Sequence, residues 1–230
     1  MKLSVIIPVY NERETIEEIL RKVESVNVGK IQREIIVVDD FSKDGTREIL
    51  QELAKNKKIK LLFHDRNYGK GHAIKSGLKI ARGDIILVQD ADLEYNPDEY
   101  SELIKPILDG QTKVVYGSRI LKKDNKYSSL LFYLGGRIVT AITNLLYNSK
   151  LTDEPTCYKV FKKEVIDGIR IDGERFEWEP EVTAKILKKG IKISEVPISY
   201  KPRGKEKGKK INWKDGIVAI WTLIKYRFID

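Results

Sequence analysis

The stretch Asp84-Ile85-Ile86-Leu87-Val88-Gln89-Asp90-Ala91-Asp92-Leu93-Glu94 sets three carboxylates directly after an apolar run. A short, continuous apolar run is typical of a strand buried on both faces of a parallel sheet. Ligands of open α/β sheets bind at the carboxyl ends of the strands, where paired oxygens suit Mg²⁺ or Mn²⁺. We expect Asp90 and Asp92 to point the same way from an extended backbone. Aspartates after a strand can also simply cap the next turn, and that alternative stays open here.

Strand-like and helix-like segments alternate on both sides of this stretch. Apolar runs cover residues 3–9, 34–38, 60–63, 85–88 and 113–119. Helical spacing covers residues 12–26, 45–55, 72–81 and 98–108, with Asn11 as the expected N-cap of the first helix. The alternation predicts an α/β fold built on a doubly wound, mostly parallel sheet.

Longer apolar helices are predicted beyond Arg119. Residues 129–146 form one, and the apolar residues of 213–228 fall at helical spacing in another. Such amphipathic helices either pack on the core or dock on a membrane surface, and flanking lysines with tryptophan favour docking. No linker interrupts the chain, so residues 1–230 are expected to form a single domain.

Charge and composition limit the classes of function. The net charge is +9, and residues 201–230 alone hold nine basic and three acidic side chains. This excess of positive charge can bind nucleic acid, an anionic membrane or a phosphorylated ligand. Alternatively, the basic side chains can form a solvated surface. A single cysteine, Cys157, excludes an intrachain disulfide and fits a reducing compartment. No signal-peptide pattern and no run of roughly 18 apolar residues are seen, so the chain is not expected to cross a bilayer.

Further polar segments follow the other predicted strands. Residues 8–12 follow the first strand, 39–40 the second and 66–71 the third. In the last of these, Gly69 and Gly71 would let the backbone approach a phosphate, and Lys70 supplies positive charge. Neither a Walker motif nor a GxGxxG after the first strand is present, which disfavours P-loop and NAD-binding proteins. His64 and His72 lack partners at metal-ligand spacing and are interpreted as packing or surface residues.

Five ordered motifs resemble glycosyltransferase family 2, and within it the dolichyl-phosphate mannose and glucose synthases. The motifs are SVIIPVYNE at 4–12, VVDDFSKDGT at 37–46, NYGKGHA at 67–73, DADL at 90–93 and GSR at 117–119. The resemblance runs in order from Leu3 to about Arg203. It implies a GT-A-like fold with a Rossmann-type nucleotide-binding core. Residues 1–119 would be the nucleotide-sugar-binding half and residues 120–230 the acceptor-binding, membrane-facing half.

The resemblance also implies roles for individual residues. Those expected to hold the nucleotide sugar are Pro8, Tyr10, Glu12, Asp40, Lys70, Asp90 and Ala91. Asp92 and Glu94 would hold Mg²⁺ or Mn²⁺, although many mannose synthases carry Gln at the position of Glu94. The expected catalytic residues are Asp92, Arg119 and Arg203. Those expected to bind the acceptor phosphate are Arg119, Arg137 and Arg203, the last together with the lysines at 205, 207, 209 and 210.

The activity implied by the resemblance is metal-dependent, inverting transfer of a hexose from a nucleotide sugar to dolichyl or another polyprenyl phosphate. Mannose from GDP-mannose is favoured; UDP-glucose or UDP-GlcNAc as donor, or a soluble glycan or protein as acceptor, are the alternatives. A basic nucleic-acid-binding module is a remote alternative, and no nucleic-acid partner is expected because the aromatic residues sit among apolar ones. The expected location is cytoplasmic, peripheral at the cytoplasmic face of a membrane, with a membrane-protein partner or a homo-oligomer to be considered.

Overall fold

The computed structural model describes residues 1–56, 58–127, 129–203 and 213–229. The strands are β1 (Lys2–Val9), β2 (Gln32–Asp39), β3 (Ile59–Phe63), β4 (Ile85–Val88), β5 (Val114–Ser118), β6 (Lys159–Lys162) and β7 (Ile193–Pro197). The helices are α1 (Ile16–Ser25), α2 (Thr46–Asn56), α3 (Lys70–Ile80), α4 (Tyr100–Leu108), α5 (Leu130–Tyr147), α6 (Lys163–Asp167), α7 (Trp178–Lys188) and α8 (Trp213–Phe228).

All seven strands form one sheet in the order β3-β2-β1-β4-β6-β5-β7. The strands β1 to β4 pair in parallel, as do β5 and β7. By contrast, β6 runs antiparallel to both of its neighbours, β4 and β5. The predicted α/β fold with a mostly parallel sheet is therefore confirmed, and β6 is the strand that departs from the parallel pattern.

The core lies around β1, which is covered on both faces. Its residues Val5, Ile6 and Ile7 are fully buried. Helix α3 packs closely on this strand, because a Cβ atom at Gly77 would lie 2.6 Å from Cγ2 of Ile6. A larger residue at Gly77 would therefore push α3 away from the sheet.

The first helix begins later than its spacing predicts. Its N-cap is Thr15, and the backbone N–H of Ile16 donates to the carbonyl of Glu12. Asn11 is not the cap, so that prediction is wrong. Asn11 instead has a positive φ of 49°, and its side-chain oxygen accepts a hydrogen bond from the N–H of Lys43. Residues 11–15 thus form a turn that leads from β1 into the helix.

The predicted C-terminal amphipathic helices are present. Helix α8 packs on α5 and α7 through Leu223 and Tyr226, and the hydroxyl of Tyr147 donates to the carbonyl of Leu223 at 2.6 Å. Helix α5 has 18 residues with a mean hydropathy of 1.3, of which 17% are buried. By length and composition it meets the requirement for a membrane span, so the expectation that no segment does so is wrong.

Candidate active site

The chain turns sharply where three strands end at one edge of the sheet. Asn11 after β1, Phe41 after β2 and Leu93 after β4 have φ values of 49°, 67° and 61°. A positive φ is costly for residues other than glycine, most of all for bulky ones such as Phe41 and Leu93. Such strained residues cluster at functional sites. The three turns lie at the edge of the sheet that carries the predicted site residues Glu12, Asp40 and Asp92.

Asp92 lies in a turn after β4, whereas Asp90 precedes that turn. The expected extended geometry is therefore wrong, and the two carboxylates have different partners. Asp90 accepts from Nζ of Lys70 at 2.9 Å, and the same ammonium lies 2.8 Å from Oε1 of Glu179. Burial alone would lower the pKa of Lys70, but Asp90 and Glu179 raise it well above its ordinary value. Lys70 thus stays charged and joins β4 to α7.

Asp92 lies in surroundings that disfavour its negative charge. Burial, followed by the charges of Asp90 and Glu94, raises the pKa of Asp92 to about 7, although Arg203 opposes the shift. A carboxylate crowded by others in this way fits a position beside a divalent cation, which would relieve the repulsion. Within the described ranges, no three His, Cys, Asp or Glu side chains are arranged to hold a metal ion by themselves. A cation at Asp92 would therefore need oxygen ligands from a bound molecule.

Arg203 brings distant parts of the chain together across the crevice. Its Nη1 and Nη2 atoms donate to Oε2 and Oε1 of Glu12 at 2.9 and 2.8 Å, a pair 191 residues apart. Its Nη2 atom also lies 3.4 Å from Oδ2 of Asp92. With its side chain 16% exposed, Arg203 is a largely buried cation between two carboxylates. The lysines at 205, 207, 209 and 210 lie outside the described residues.

Asp40 fixes the loop that precedes α3. Its Oδ1 atom is 2.7 Å from Nδ1 of His64 and accepts from the N–H of Tyr68, while Oδ2 accepts from the N–H of Gly69. Gly69 has a φ of 105°, and a Cβ atom there would lie 2.6 Å from the carbonyl oxygen of Glu174. Both oxygens of Asp40 are thus used to shape this loop. His64 has a carboxylate partner that sequence spacing could not reveal, because the two residues are 24 positions apart.

Arg119 is held by a carboxylate that the sequence did not single out. Its Nε and Nη2 atoms each donate to Asp153 at 2.7 Å, and Nη2 also reaches the carbonyl of Pro155. Although burial favours the neutral carboxyl, Arg119 keeps the pKa of Asp153 below its ordinary value. Arg137 is exposed on α5 and donates to the carbonyl of Thr152, next to Asp153. Both arginines therefore lie beside residues 152–155.

The remaining predicted residues line the edge of the same crevice. Pro8 and Tyr10 are half-buried at the end of β1, and Ala91 is buried in the turn after β4. Cys157 is buried, and burial together with Asp90 raises the pKa of its thiol well above its ordinary value. Cys157 is therefore a neutral core residue.

Comparison with known proteins agrees with this arrangement. The sequence profile of the family described as glycosyl transferase family 2 matches residues 4–170. The dolichol-phosphate mannosyltransferase of Pyrococcus furiosus is 33% identical over 98% of this chain and 64% of its own length. The UDP-N-acetylglucosamine–dolichyl-phosphate N-acetylglucosaminyltransferase of Methanococcus voltae is 32% identical over 85% of this chain and 84% of its own. This chain thus spans a little under two thirds of the Pyrococcus relative.

Solved structures share the fold. The glucosyl-3-phosphoglycerate synthase of Mycobacterium tuberculosis, solved with Mn²⁺, UDP and glucosyl-3-phosphoglycerate, superposes with a TM-score of 0.77. It covers all of this chain and 81% of its own at 18% identity, which shows a shared GT-A architecture. Since the family profile matches more than half of the residues, this chain belongs to glycosyl transferase family 2.

Proposed function

We propose that this protein is a metal-dependent, inverting glycosyltransferase that moves a hexose from a nucleotide sugar to a polyprenyl phosphate. The observation that supports it best is the meeting of Glu12, Asp92 and Arg203 at the carboxyl ends of β1 and β4. In open α/β sheets this edge binds nucleotides. Relatives about one third identical over most of the chain are named as polyprenyl-phosphate sugar transferases.

The donor sugar is a finer part of the proposal. Mannose from GDP-mannose is favoured, since the Pyrococcus relative is a mannosyltransferase that aligns with 98% of the chain. GlcNAc from UDP-GlcNAc is the second candidate, since the Methanococcus relative has nearly the same identity, 32%. A panel of nucleotide sugars, offered with a short prenyl phosphate and Mn²⁺, tests both candidates. Product from GDP-mannose supports the first, product from UDP-GlcNAc the second, and no product from any donor contradicts the proposal.

The mechanism follows from the charge of the acceptor. A phosphomonoester has a second pKa of about 6, so it is already an anionic nucleophile at neutral pH and needs no general base. What requires stabilisation is negative charge on the departing diphosphate and on the incoming phosphate. Lys70 and Arg203 are the buried cations on the donor side of the crevice, and Arg119 lies towards residues 152–155. Attack opposite the leaving group inverts the anomeric centre.

A divalent cation, Mg²⁺ or Mn²⁺, would be held by Asp92, with Glu94 beside it. When bound, it would supply positive charge to the departing diphosphate. The crowding of Asp90, Asp92 and Glu94 supports this placement, because an added cation would relieve their repulsion.

Cation binding should depend on pH through Asp92. Its pKa of about 7 means that the carboxyl is protonated below pH 7 and must lose a proton to act as a ligand. We expect the affinity for Mn²⁺, measured by calorimetry with nucleoside diphosphate, to rise about fivefold from pH 6 to 7 and little from pH 8 to 9. In Asp92→Asn the affinity for Mn²⁺ should not show this rise with pH. A flat affinity in the wild-type protein would contradict the assignment.

Peripheral contact with a membrane is proposed for the outward face of α5 and α8. This apolar face is formed by exposed side chains, namely Leu130, Leu131, Leu134, Ile138 and Leu145 of α5 and Trp213, Ile217, Trp221, Ile224 and Phe228 of α8. Most of the apolar stripe predicted along residues 213–228 is therefore exposed, although Ile220 packs beside Leu223 and Tyr226. Lys214, Lys225 and Arg227 lie on the same helix and would attract anionic lipid. The cytoplasmic side is proposed because that leaflet carries the anionic lipids.

Replacing Trp221 should separate membrane contact from chemistry. Trp221 is 64% exposed, so Trp221→Glu should leave the fold intact. We expect its binding to anionic vesicles in a sedimentation assay to fall about tenfold or more, since a buried aromatic contributes roughly 2 kcal/mol. Activity on a short, water-soluble prenyl phosphate should stay within twofold. The matched control is Leu108→Glu, an exposed leucine at the end of α4. Equal vesicle binding by both variants would contradict the proposal.

A further inference from the structure

Three hydrogen bonds fasten residues 200–203 to Glu94, and we call this group the Glu94 clasp. The carbonyl oxygen of Glu94 accepts from the N–H of Lys201 at 2.9 Å. Its Oε1 atom accepts from the N–H of Arg203 at 2.7 Å, and its Oε2 atom accepts from the hydroxyl of Tyr200 at 2.9 Å. Both side-chain oxygens are therefore directed at residues 200–203.

The clasp uses both oxygens of the Glu94 carboxylate. Each oxygen of Glu94 accepts from a different donor, one a main-chain N–H and the other a phenolic hydroxyl. Removing the carboxylate altogether would leave both donors without this acceptor. This gives Glu94 a task in the ligand-free protein that is separate from holding a cation.

Tyr200 is itself fixed in place. Its N–H donates to Oδ1 of Asn125 at 2.8 Å, and its ring lies 5.6 Å from that of Tyr95 and 5.1 Å from the guanidinium of Arg119. Burial and the charge of Glu94 raise the pKa of Tyr200, so the hydroxyl remains a donor at neutral pH. Because these contacts hold the ring of Tyr200, its hydroxyl cannot easily move away from Glu94.

The main chain held by the clasp is that of Arg203, whose guanidinium spans Glu12 and Asp92. A long arginine side chain has many rotamers, so fixing its backbone removes much of the cost of placing its guanidinium. We propose that Tyr200 is a positioning residue, whose hydroxyl orients the Glu94 carboxylate so that Glu94 holds the main chain of Arg203 beside the crevice. The effect on turnover rests on the proposed function, whereas the effect on the Arg203 backbone does not.

Tyr200→Phe tests the inference, because it removes the hydroxyl and keeps the ring. In the ligand-free protein we expect the Arg203 amide to exchange its hydrogen for deuterium at least about threefold faster, since Glu94 loses one of its anchors. Turnover on a short prenyl phosphate should fall about tenfold, the loss expected from one hydrogen bond to a charged group. The matched control is Tyr147→Phe, which removes a hydroxyl that donates to the main-chain carbonyl of Leu223 between α5 and α8. This control should change neither the exchange rate of the Arg203 amide nor the turnover.

Glu94→Ala, which removes both side-chain oxygens, provides a second variant with the same readouts, and it replaces Tyr200→Phe should that protein fail to fold. It too should free the Arg203 amide. Unchanged exchange of this amide in both variants overturns the inference, and so does faster exchange with normal turnover. Should Glu94 serve only a cation, Glu94→Ala would weaken Mn²⁺ binding and leave the Arg203 amide as in the wild type, which also overturns it. An inactive wild-type protein would reject the proposed transfer reaction, while the exchange comparison would still decide the clasp.

Discussion

Asp92→Asn should abolish sugar transfer, with turnover at least about 10³-fold below that of the wild type. The reason is that the cation proposed at Asp92 would contribute several kcal/mol to stabilising the departing diphosphate, and each 1.36 kcal/mol is worth a factor of ten. Steady-state rates with the preferred nucleotide sugar, a short prenyl phosphate and Mn²⁺ measure the loss.

The same substitution should not lower stability. Because the folded-state pKa of Asp92 is raised to about 7, its ionisation opposes folding, and the stability linked to this group falls as pH rises from about 4 to 7. At pH 7 the neutral asparagine should therefore unfold at the same temperature as the wild type or higher. Asp98→Asn, which changes an exposed carboxylate nearby, is the matched control and should remain active. Activity of Asp92→Asn within a few-fold of wild type, or wild-type activity that survives EDTA, would contradict the cation role.

Arg203→Ala should lower turnover by about 10²-fold or more, comparable with the loss of one transition-state donor. A guanidinium can bind phosphate oxygens through two N–H groups, as the guanidinium of Arg203 binds the carboxylate of Glu12 in the structure. Arg203→Lys should recover only part of the activity, because an ammonium acts as a point charge. Measuring the rates on a water-soluble prenyl phosphate separates this effect from membrane binding.

Loss of Arg203 also leaves the buried carboxylate of Glu12 without its bidentate partner, which should destabilise the fold. The double variant Glu12→Gln/Arg203→Ala distinguishes stability from chemistry. It should regain much of the lost unfolding temperature and none of the lost turnover. Lys192→Ala, which removes an exposed cation before β7, should behave as the wild type. A fully active Arg203→Ala protein in the soluble assay would refute the role proposed for Arg203.

Local sequence patterns were sufficient for the architecture and for the edge of the sheet that carries the site. Continuous apolar runs predicted β1, β2 and β4, and the carboxylates directly after β4 do lie at the crevice. These features depend on residues close together in the chain, where periodicity and turn chemistry act. The antiparallel direction of β6 depends instead on how distant segments fit beside β4 and β5, which no local pattern records.

The pairing of charges could not be predicted, because it is set by tertiary structure. Glu12 was expected to hold the nucleotide sugar and Arg203 to bind the acceptor phosphate, but in the structure the two side chains bind each other. Asp153 was not assigned as the partner of Arg119, from which it is 34 residues distant. Leu93 has a positive φ, which leucine rarely adopts. The residues around it therefore did not predict the turn that separates Asp92 from Glu94.

The buried face of the C-terminal apolar helix could not be predicted from the sequence either. Spacing predicted a helix over residues 213–228 and identified its apolar stripe, but two orientations were compatible with that pattern. In the structure Leu223 and Tyr226 face α5 and α7, while Trp213 and Trp221 are exposed. Which face of a helix is buried depends on the surface against which it packs. That surface is formed by residues distant in the chain, so the pattern within the helix does not predict it.

The central claim is that the acceptor is an anionic phosphate that attacks without a general base. Its most direct test compares a short prenyl phosphate with the prenyl alcohol of the same chain, using the preferred nucleotide sugar and Mn²⁺. We predict a prenyl-phosphate-linked hexose with an inverted anomeric centre, identified by NMR, and no detectable product from the alcohol, which would need a base. Equal transfer to the alcohol, or a product with a retained anomeric centre, would contradict the account.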